Sequence, residues 1–421
     1  MPDYLIEKTL IQQTPIIHFQ YGQKGVTLRA TEVKPKLDRF LRRKSANDSI
    51  PDDWCIGSTD ALNYKLRFEA IGTPTVSMAH EYAIEAYREK LNGNHDAERA
   101  ANRNLRNAIN GIYFGNMAKS SDNPSVEEYS ARVRESFKET VLYPDGIKLT
   151  VICFIPGLKK MIESSLSEFF VVTNFGTMQD KGFGSFMIKG DDPSDGDISR
   201  MLREAYGAAK CYSFSRYDRR DTDKTFDRIK TVYSIMKSGI NFREYQRSLL
   251  FLFMHESFGM GNEKAFVKRN EISPWQNGAP VASSHFQDDF PPEGDPHYFV
   301  RALLGVGDHL EFINNPANLR DGKTTVNIKC TNRDIARLAS PVFFKVIGGY
   351  VYYVGGRINE AIYGAEFSFT STLGSGTLTV PTKEQLGEDF MDRFMDYCFK
   401  KFNDEDDEDI MSFINFYIDE V

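Results

Sequence analysis

The chain has 421 residues, with 52 Lys and Arg against 59 Asp and Glu, and a formal net charge of −7. This length predicts two or three domains at roughly 100–200 residues per domain, and a 41% hydrophobic, 26% charged composition is typical of a globular protein. The sequence predicts no membrane span or secretion signal, and five scattered cysteines without a CxxC pair favour the cytoplasm.

The first 190 residues alternate between strand-like and helix-like patterns. Strands are predicted at 4–11, 16–19, 62–71, 149–155 and 183–188. Helices are predicted at 31–44, where Thr31 is a possible cap and Pro35 falls in the first turn, across much of 77–140, and at 158–170. Without the helical insertion at 77–140, the order is β-α-β-β-α-β, which is ferredoxin-like and shared by RNA-recognition domains.

The remaining residues predict a helical middle and a β-rich end. Residues 197–260 look helical, 261–296 form a Pro-rich loop, and 298–312 a further helix. Two apolar runs around Gly348-Gly349 predict a hairpin, and a last helix is predicted at 387–402. We therefore expect three regions. They are 1–190 with its helical insertion, 191–320 as a mainly helical insertion with the Pro-rich loop, and 321–421 as a β-rich second half with a C-terminal helix and an acidic segment.

The loop from Gly176 to Gly184 is the first candidate site. Glycines let backbone N–H groups approach a phosphate or a ribose without an intervening side chain. Lys181 adds a positive charge and Phe183 offers a ring for stacking. On spacing alone, a β-turn with a core phenylalanine remains the favoured interpretation, because pairs of glycines are common.

A basic stripe is the second candidate. Lys36, Arg39 and Arg43 fall on one side of the predicted helix, beside its apolar face. Residues 1–50 carry nine Lys and Arg against five Asp and Glu, a net charge of +4. Helices with such stripes contact sugar-phosphate backbones, and a solvated helix face is an equal alternative.

The third candidate is the segment from Tyr212 to Lys230, which interleaves aromatic and basic residues. Arginine and aromatic side chains together can stack bases. The aspartates of the segment reduce its net charge to +2. A helix with paired surface charges is therefore the favoured interpretation here.

Catalytic patterns are weak. The seven histidines form no HExxH or other metal-ligand spacing, and neither a Walker loop nor GxSxG occurs. His18, after the first apolar strand, is the candidate general base, although such a histidine is more often structural. The sequence predicts no cofactor and no metal.

Three segments carry a resemblance. Thr14-Pro15-Ile16-Ile17 followed by 28–40, the loop 176–184, and the Arg-x-x-Ser-Pro strand start at 337–346 are similar to the CRISPR RAMP superfamily. They most resemble the first subunit of the type III-B Cmr effector complex. That family's loop usually carries two or more arginines, whereas here Lys181 is the basic residue among Thr177, Met178, Gln179 and Asp180.

The resemblance implies an α+β fold, ferredoxin-like (RRM-like), with helical insertions and two such units. It also implies a non-catalytic RNA-binding subunit of a cytoplasmic ribonucleoprotein defence complex. Its partners would be a guide or target RNA and other RAMP or CRISPR effector subunits. We expect the RNA groove between the helix bearing Arg39 and the glycine-rich loop. The expected RNA-binding residues are Arg29, Lys36, Arg39, Arg42, Arg43, Gly176, Lys181, Gly182, Phe183 and Gly184.

Two alternatives stay open. The first is a metal-independent endoribonuclease of the RAMP type, with His18 as the base beside a 2′-hydroxyl. The second is a protein scaffold whose loops at 197–296 dock other subunits. The acidic balance does not exclude RNA, because residues 381–421 carry a net charge of −9 and the rest of the chain +2.

Overall fold

The protein has a mixed α/β fold with several antiparallel sheets. Its computed structural model describes residues 3–17, 28–45, 50–76, 79–109, 125–136, 140–217, 222–242, 244–270, 272, 296–307, 309–313, 323–332, 335, 338–404 and 407–421. The helices are α1 (Ala30–Lys44), α2 (Ala79–Leu91), α3 (His95–Ile109), α4 (Val126–Ser136), α5 (Pro156–Val172), α6 (Asp195–Tyr206), α7 (Thr222–Lys237), α8 (Leu249–Phe258), α9 (Glu263–Arg269), α10 (Lys383–Leu386), α11 (Phe390–Phe402) and α12 (Glu408–Phe413). The strands are β1 (Leu5–Gln12), β2 (Ile16–Ile17), β3 (Lys65–Ala70), β4 (Thr75–Val76), β5 (Thr140–Leu142), β6 (Ile147–Ile152), β7 (Phe186–Ile188), β8 (Tyr212–Ser215), β9 (Ile240–Phe242), β10 (Glu244–Gln246), β11 (His309–Ile313), β12 (Lys323–Cys330), β13 (Val342–Ile347), β14 (Tyr350–Gly355), β15 (Glu366–Thr370), β16 (Ser375–Thr379) and β17 (Ile418–Glu420).

The first sheet is antiparallel, in the order β3-β6-β1-β7. Its strands alternate, so that Leu10, Leu149 and Val151 are 1% exposed or less and face a core shared with α1 and α5. This alternation is what a sheet covered by helices on one side requires. The sheet thereby holds α1 and the end of α5 in fixed positions.

The second sheet is also antiparallel, in the order β13-β14-β8-β17. All six residues of β13 are buried, because both faces of this strand are covered. Phe344 and Val351 face one core with Phe226, while Phe343 and Tyr352 face the core of the first sheet. The two halves of the protein therefore share a core.

A buried lysine joins the two sheets. The ammonium of Lys345 on β13 donates to the carbonyls of Phe170 (2.7 Å) and Thr173 (2.9 Å) at the C-terminal end of α5. It also lies 3.1 Å from Asn174 Oδ1 and 3.4 Å from the Phe186 carbonyl. A helix C-terminus favours a cation, and burial lowers the pKa of Lys345 well below its usual value.

Smaller sheets and helices surround these two layers. The further sheets have the orders β2-β5-β4, β10-β9 and β11-β12-β15-β16. Helices α2, α3 and α4 form the insertion between β4 and β5, where Tyr87 and Tyr129 stack with ring centroids 3.9 Å apart. In the described part of the chain, none of the helices has the length and apolar character of a membrane span.

Several predicted elements are confirmed, among them α1, α5, α11 and the β13–β14 hairpin around Gly348-Gly349. The helix predicted at 298–312 is wrong. A short 3₁₀ turn over Val300–Leu304 ends at Gly305, whose φ of 103° is outside the helical region, and β11 then pairs with β12. The helical prediction for 197–260 missed β8, whose four residues are too few to show an alternation.

Candidate functional site: a cleft lined by arginines

Helix α1 forms one wall of the site. Val33, Leu37 and Leu41 are 1% exposed or less, which places the basic stripe at the edge of the buried face. The helix begins at Ala30 with Arg29 as its N-cap, so the predictions of a Thr31 cap and a first-turn Pro35 are wrong. Because Pro35 has no N–H, it donates no hydrogen bond to the preceding turn.

Buried Asp38 fixes the orientation of α1. Its carboxylate accepts hydrogen bonds from Tyr64 Oη (2.7 Å) and Lys34 Nζ (2.8 Å), and from the Leu62 amide at 3.4 Å. A buried carboxylate needs such partners to offset its desolvation. Helix α1 is thereby tied to the segment leading into β3, and the arginines that follow Asp38 on this helix take defined positions.

The glycine-rich loop at 176–184 packs tightly against the β1–β2 segment. Gly176, Gly182 and Gly184 have positive φ of 83°, 84° and 64°. A Cβ on Gly184 would lie 2.0 Å from the Phe175 carbonyl oxygen, and one on Gly176 would lie 2.5 Å from that of Ile17. Glycine is required here because the chain folds closely on itself.

The side chains of this loop face the protein. Phe183 is 1% exposed and stacks on Phe226, with ring centroids 3.9 Å apart. Lys181 Nζ lies 2.8 Å from Asp180 Oδ2 and 3.4 Å from the ring centroid of Tyr233. Phe183 thus supports the loop from the core. The carboxylate of Asp180 neutralises the positive charge of the neighbouring Lys181.

Lys36 connects α1 to the loop. Its ammonium donates to Gln179 Oε1 (2.7 Å) and to the Asn174 carbonyl (2.9 Å), and lies 3.4 Å from Glu32 Oε1. Glu32 in turn accepts the Gly176 amide at 2.6 Å. Burial lowers the pKa of Lys36 despite the opposing effect of Glu32. This pair clamps the loop against the helix.

A cleft of about 900 Å³ opens beside this clamp, and we call it the arginine cleft. Arg39, Arg42 and Arg43 approach it from α1, and Arg357 approaches from the segment after β14. Arg39, Arg43 and Arg357 are exposed. Since an arginine carries five N–H donors, the bond of Arg43 to the Ala205 carbonyl (3.4 Å) leaves donors for a ligand.

The floor of the arginine cleft is apolar. Phe40, Phe343 and Pro341 line it, together with Tyr206, whose ring stacks on Phe343 with centroids 4.4 Å apart. Burial raises the pKa of Tyr206, and its hydroxyl donates to the Val172 carbonyl at 3.0 Å. Cations above flat apolar surfaces suit a ligand that is both anionic and aromatic.

Groups for acid–base chemistry are scarce in this cleft. Among its described lining residues, Asp180 is the one carboxylate and there is no histidine or cysteine. Within the described ranges, no group of three or more His, Cys, Asp or Glu side chains could hold a metal ion.

The predicted site residues fall into three groups. Lys36, Arg39, Arg42 and Arg43 line the arginine cleft, whereas the loop residues Gly176, Lys181, Gly182, Phe183 and Gly184 are not among its lining residues. Arg29 lies about 15 Å from Arg39 along the helix axis. His18 and Arg337 are outside the described residues.

The second half of the chain supplies a wall of the cleft that the sequence did not predict. Arg357, Asn359 and Ser340 line the cleft opposite α1. Ser340 belongs to the Ser-Pro strand start that carried the resemblance, which was an available signal. Arg357 directly follows a Gly-Gly pair at the end of an apolar strand, but its distance of more than 300 residues from Arg39 hid the connection.

Comparisons with known proteins agree with the resemblance. The family model of the Cmr1 N-terminal domain matches residues 4–240, and that of the Cmr1 C-terminal domain matches residues 245–416. The crystal structure of apo Cmr1 from Pyrococcus furiosus is similar, at 10% sequence identity and a TM-score of 0.35, covering 90% of this chain and 99% of that chain. A search of curated proteins found no match.

Proposed function

Because the chain belongs to the Cmr1 family, whose membership implies a subunit of a type III-B CRISPR effector complex, we propose that it is a non-catalytic RNA-binding subunit. The observation that carries the proposal is the convergence of four arginines, from two distant parts of the chain, on one cleft with an apolar floor. Arginines contact phosphates, and flat apolar surfaces receive unstacked bases.

The role of each residue follows from its position. Arg39, Arg43 and Arg357 hold phosphates at the exposed rim, and Arg42 supports the rim through its bonds to the Asp60 carbonyl (2.7 and 3.1 Å). Lys36 acts mainly by fixing the glycine-rich loop. The RNA is a guide or a target, and the remaining partners are other subunits of the effector complex.

We also propose two ferredoxin-like units. In support, the sheets β3-β6-β1-β7 and β13-β14-β8-β17 each have their first strand in the centre, between the third and fourth strands in chain order. Each unit also has a helix after its first strand and another before its last, as in β-α-β-β-α-β. The first unit comprises 1–190 with the insertion at 77–140. The pairing of β8 with β14 and β17 supports a second unit that begins near residue 212.

A salt titration of RNA binding tests the arginine cleft. We expect the double variant Arg39→Glu, Arg43→Glu to bind single-stranded RNA about 10- to 100-fold more weakly and to lower the slope of log K against log salt by about 1.4, or about 0.7 per lost phosphate contact. Filter binding between about 50 and 300 mM salt measures both quantities.

The matched control is the double variant Arg67→Glu, Arg200→Glu. It changes the net charge equally, but both side chains are exposed (68% and 53%) and neither lines the cleft. Equal losses in the two double variants would show a general charge effect and overturn the assignment. Shortening of RNA during long incubation in EDTA would overturn the non-catalytic part in favour of an endoribonuclease.

A further inference from the structure

A second cavity, of about 520 Å³, lies at the other end of the β13–β14 hairpin. The arginine cleft is at the Pro341 end of β13, whereas this cavity is at the turn of Gly348 and Gly349. Six residues of β13 separate the two ends, a distance of about 20 Å. We call the second cavity the hairpin-turn cavity.

Its walls leave room for a flat ring. Gly190, Gly348 and Gly349 line it, and a Cβ added at any of them would meet nothing within 4 Å. Arg216 is 6% exposed and anchors the wall by donating to the Gln13 carbonyl at 2.9 Å. The approach to this cavity is therefore bordered by glycine backbone, which a ligand can approach closely.

Tyr217 stands at this cavity with cations around its ring. The ring is 47% exposed. Lys224 Nζ lies 4.3 Å and Arg228 Cζ 5.2 Å from its centroid. Arg228 also lies 4.6 Å from the ring centroid of Phe416, and it donates to the carbonyl (2.6 Å) and hydroxyl (2.9 Å) of Ser215. An exposed ring beside fixed cations is the arrangement that holds single-stranded nucleic acid.

The position of this cluster in the second sheet corresponds to that of α1 and the glycine-rich loop in the first sheet. Helix α7, which bears Lys224 and Arg228, follows β8 as α1 follows β1. Phe416 precedes β17 as the glycine-rich loop precedes β7. The cluster thus occupies, in the second sheet, the place that the basic helix and its facing loop have in the first.

We propose that Tyr217, Lys224 and Arg228 form a second RNA subsite, which rests on the proposed function of the arginine cleft. One base stacks on Tyr217, the two cations hold neighbouring phosphates, and the same strand reaches the arginine cleft. Asp191 and Asp192 also line the cavity, and a carboxylate accepts hydrogen bonds from the amino group of cytosine. Cations around the ring favour RNA over a protein partner.

RNAs of two lengths separate the two subsites. Four stacked nucleotides cover about 14 Å and sixteen about 54 Å, so only the longer RNA spans both subsites. We expect Tyr217→Ala to weaken binding of the 16-nucleotide RNA about tenfold and to leave the 4-nucleotide RNA unchanged. Tyr217→Phe, which keeps the ring, and Tyr417→Ala, whose ring is 80% exposed, should both bind like wild type.

A fluorescent base reports the stacking directly. 2-Aminopurine placed along the 16-nucleotide RNA should be quenched at one position by wild type and by Tyr217→Phe, and this quenching should disappear in Tyr217→Ala. If Tyr217→Ala keeps the thermal unfolding midpoint of wild type, the loss of quenching is caused by the missing ring and not by unfolding.

The outcomes separate the subsite from the cleft. Equal affinity of wild type and Tyr217→Ala for the 16-nucleotide RNA overturns the subsite, as does a loss that is the same for both RNA lengths. If Tyr217→Ala instead releases a protein subunit while RNA binding persists, the surface is a protein interface and the subsite is overturned. Failure of the Arg39→Glu, Arg43→Glu pair to weaken the 4-nucleotide RNA overturns the proposed function itself.

Discussion

The first and second sheets, β3-β6-β1-β7 and β13-β14-β8-β17, share one strand order but differ in the segment that leads into their last strand. In the first sheet, residues 173–185 contain three glycines with positive φ and lie against β13 of the other sheet. In the second sheet, residues 403–417 contain no glycine and carry six consecutive acidic residues. The connection before the last strand thus packs against the other sheet in the first half of the protein and carries negative charge in the second. We call residues 173–185, which make this contact with β13, the joint.

The two segments are constrained differently: close packing restricts the residues of the joint, whereas the acidic segment can carry charge. The joint needs backbone that approaches neighbouring backbone closely, so its residues are selected by packing. The acidic segment includes the short helix α12, which Asp407 caps through the Ile410 amide at 3.1 Å. A connection that forms no joint can therefore be rich in charge.

The largest effect should come from the joint itself. Gly184→Ala places a Cβ 2.0 Å from the Phe175 carbonyl oxygen at a φ of 64°. We expect the free energy of unfolding to fall by more than about 3 kcal/mol in urea titrations. Gly190→Ala is the control, since its φ of 88° carries the same strain without a clash, and about 1–2 kcal/mol is expected. Equal losses would show that close packing of the loop contributes nothing.

The next effect concerns the buried lysine between the sheets. Lys345→Met keeps most of the side-chain volume but leaves the Phe170 and Thr173 carbonyls without this donor. We expect a loss of about 2–3 kcal/mol in the free energy of unfolding. Lys65→Met, at an exposed position on β3, should change it by less than about 0.5 kcal/mol.

The pH dependence of that loss has a defined sign. Burial lowers the pKa of Lys345 in the folded protein, so the unfolded chain binds more protons and stability rises with pH. The destabilisation caused by Lys345→Met should therefore grow between about pH 7 and pH 10. A constant difference across this range would contradict the burial of a titrating ammonium.

A smaller effect is expected where α1 clamps the loop. Lys36→Met removes the hydrogen bonds to Asn174 and Gln179 and should lower the free energy of unfolding by about 1 kcal/mol. Lys44→Met on the same helix is the control, because Lys44 is 41% exposed and its ion pair with Glu168 is worth little. If both variants lose the same stability, the clamp makes no specific contribution.

The smallest effect should come from the acidic segment. Replacing Asp404, Glu405 and Asp406 by their amides should strengthen RNA binding about two- to threefold at low salt, because less negative charge repels the phosphates. The gain should disappear at about 1 M salt, where screening acts within about 3 Å. A gain that persists at high salt would indicate a direct contact instead.

Local patterns predicted several elements in both halves of the chain. The spacing of Val33, Leu37 and Leu41 defined α1, and Gly348-Gly349 between apolar runs defined the hairpin, because both signals lie within one element. Strand β8 was missed because it is stabilised by β14 and β17, more than 130 residues away. Short strands of this kind acquire their structure from tertiary partners.

The candidate site was predictable on one side only. The basic stripe on α1 indicated one wall of the cleft, whereas Arg357 is brought there by the second sheet. Phe183 illustrates the opposite case. The sequence allowed its ring either to stack a base or to buttress the loop, and stacking on Phe226 could be read only from the fold.

The pairing of β8 has a consequence for the order of folding. β8 at 212–215 is one of the two central strands of its sheet, yet its neighbours are β14 at 350–355 and β17 at 418–420. Contacts of such long sequence separation form slowly because a large loop must close first. During synthesis, the strands of the first sheet are complete by residue 188, whereas the second sheet must wait until residue 420 has left the ribosome. Nascent chains should therefore spend a period in which all strands of the first sheet are present while β8 still lacks both of its neighbours.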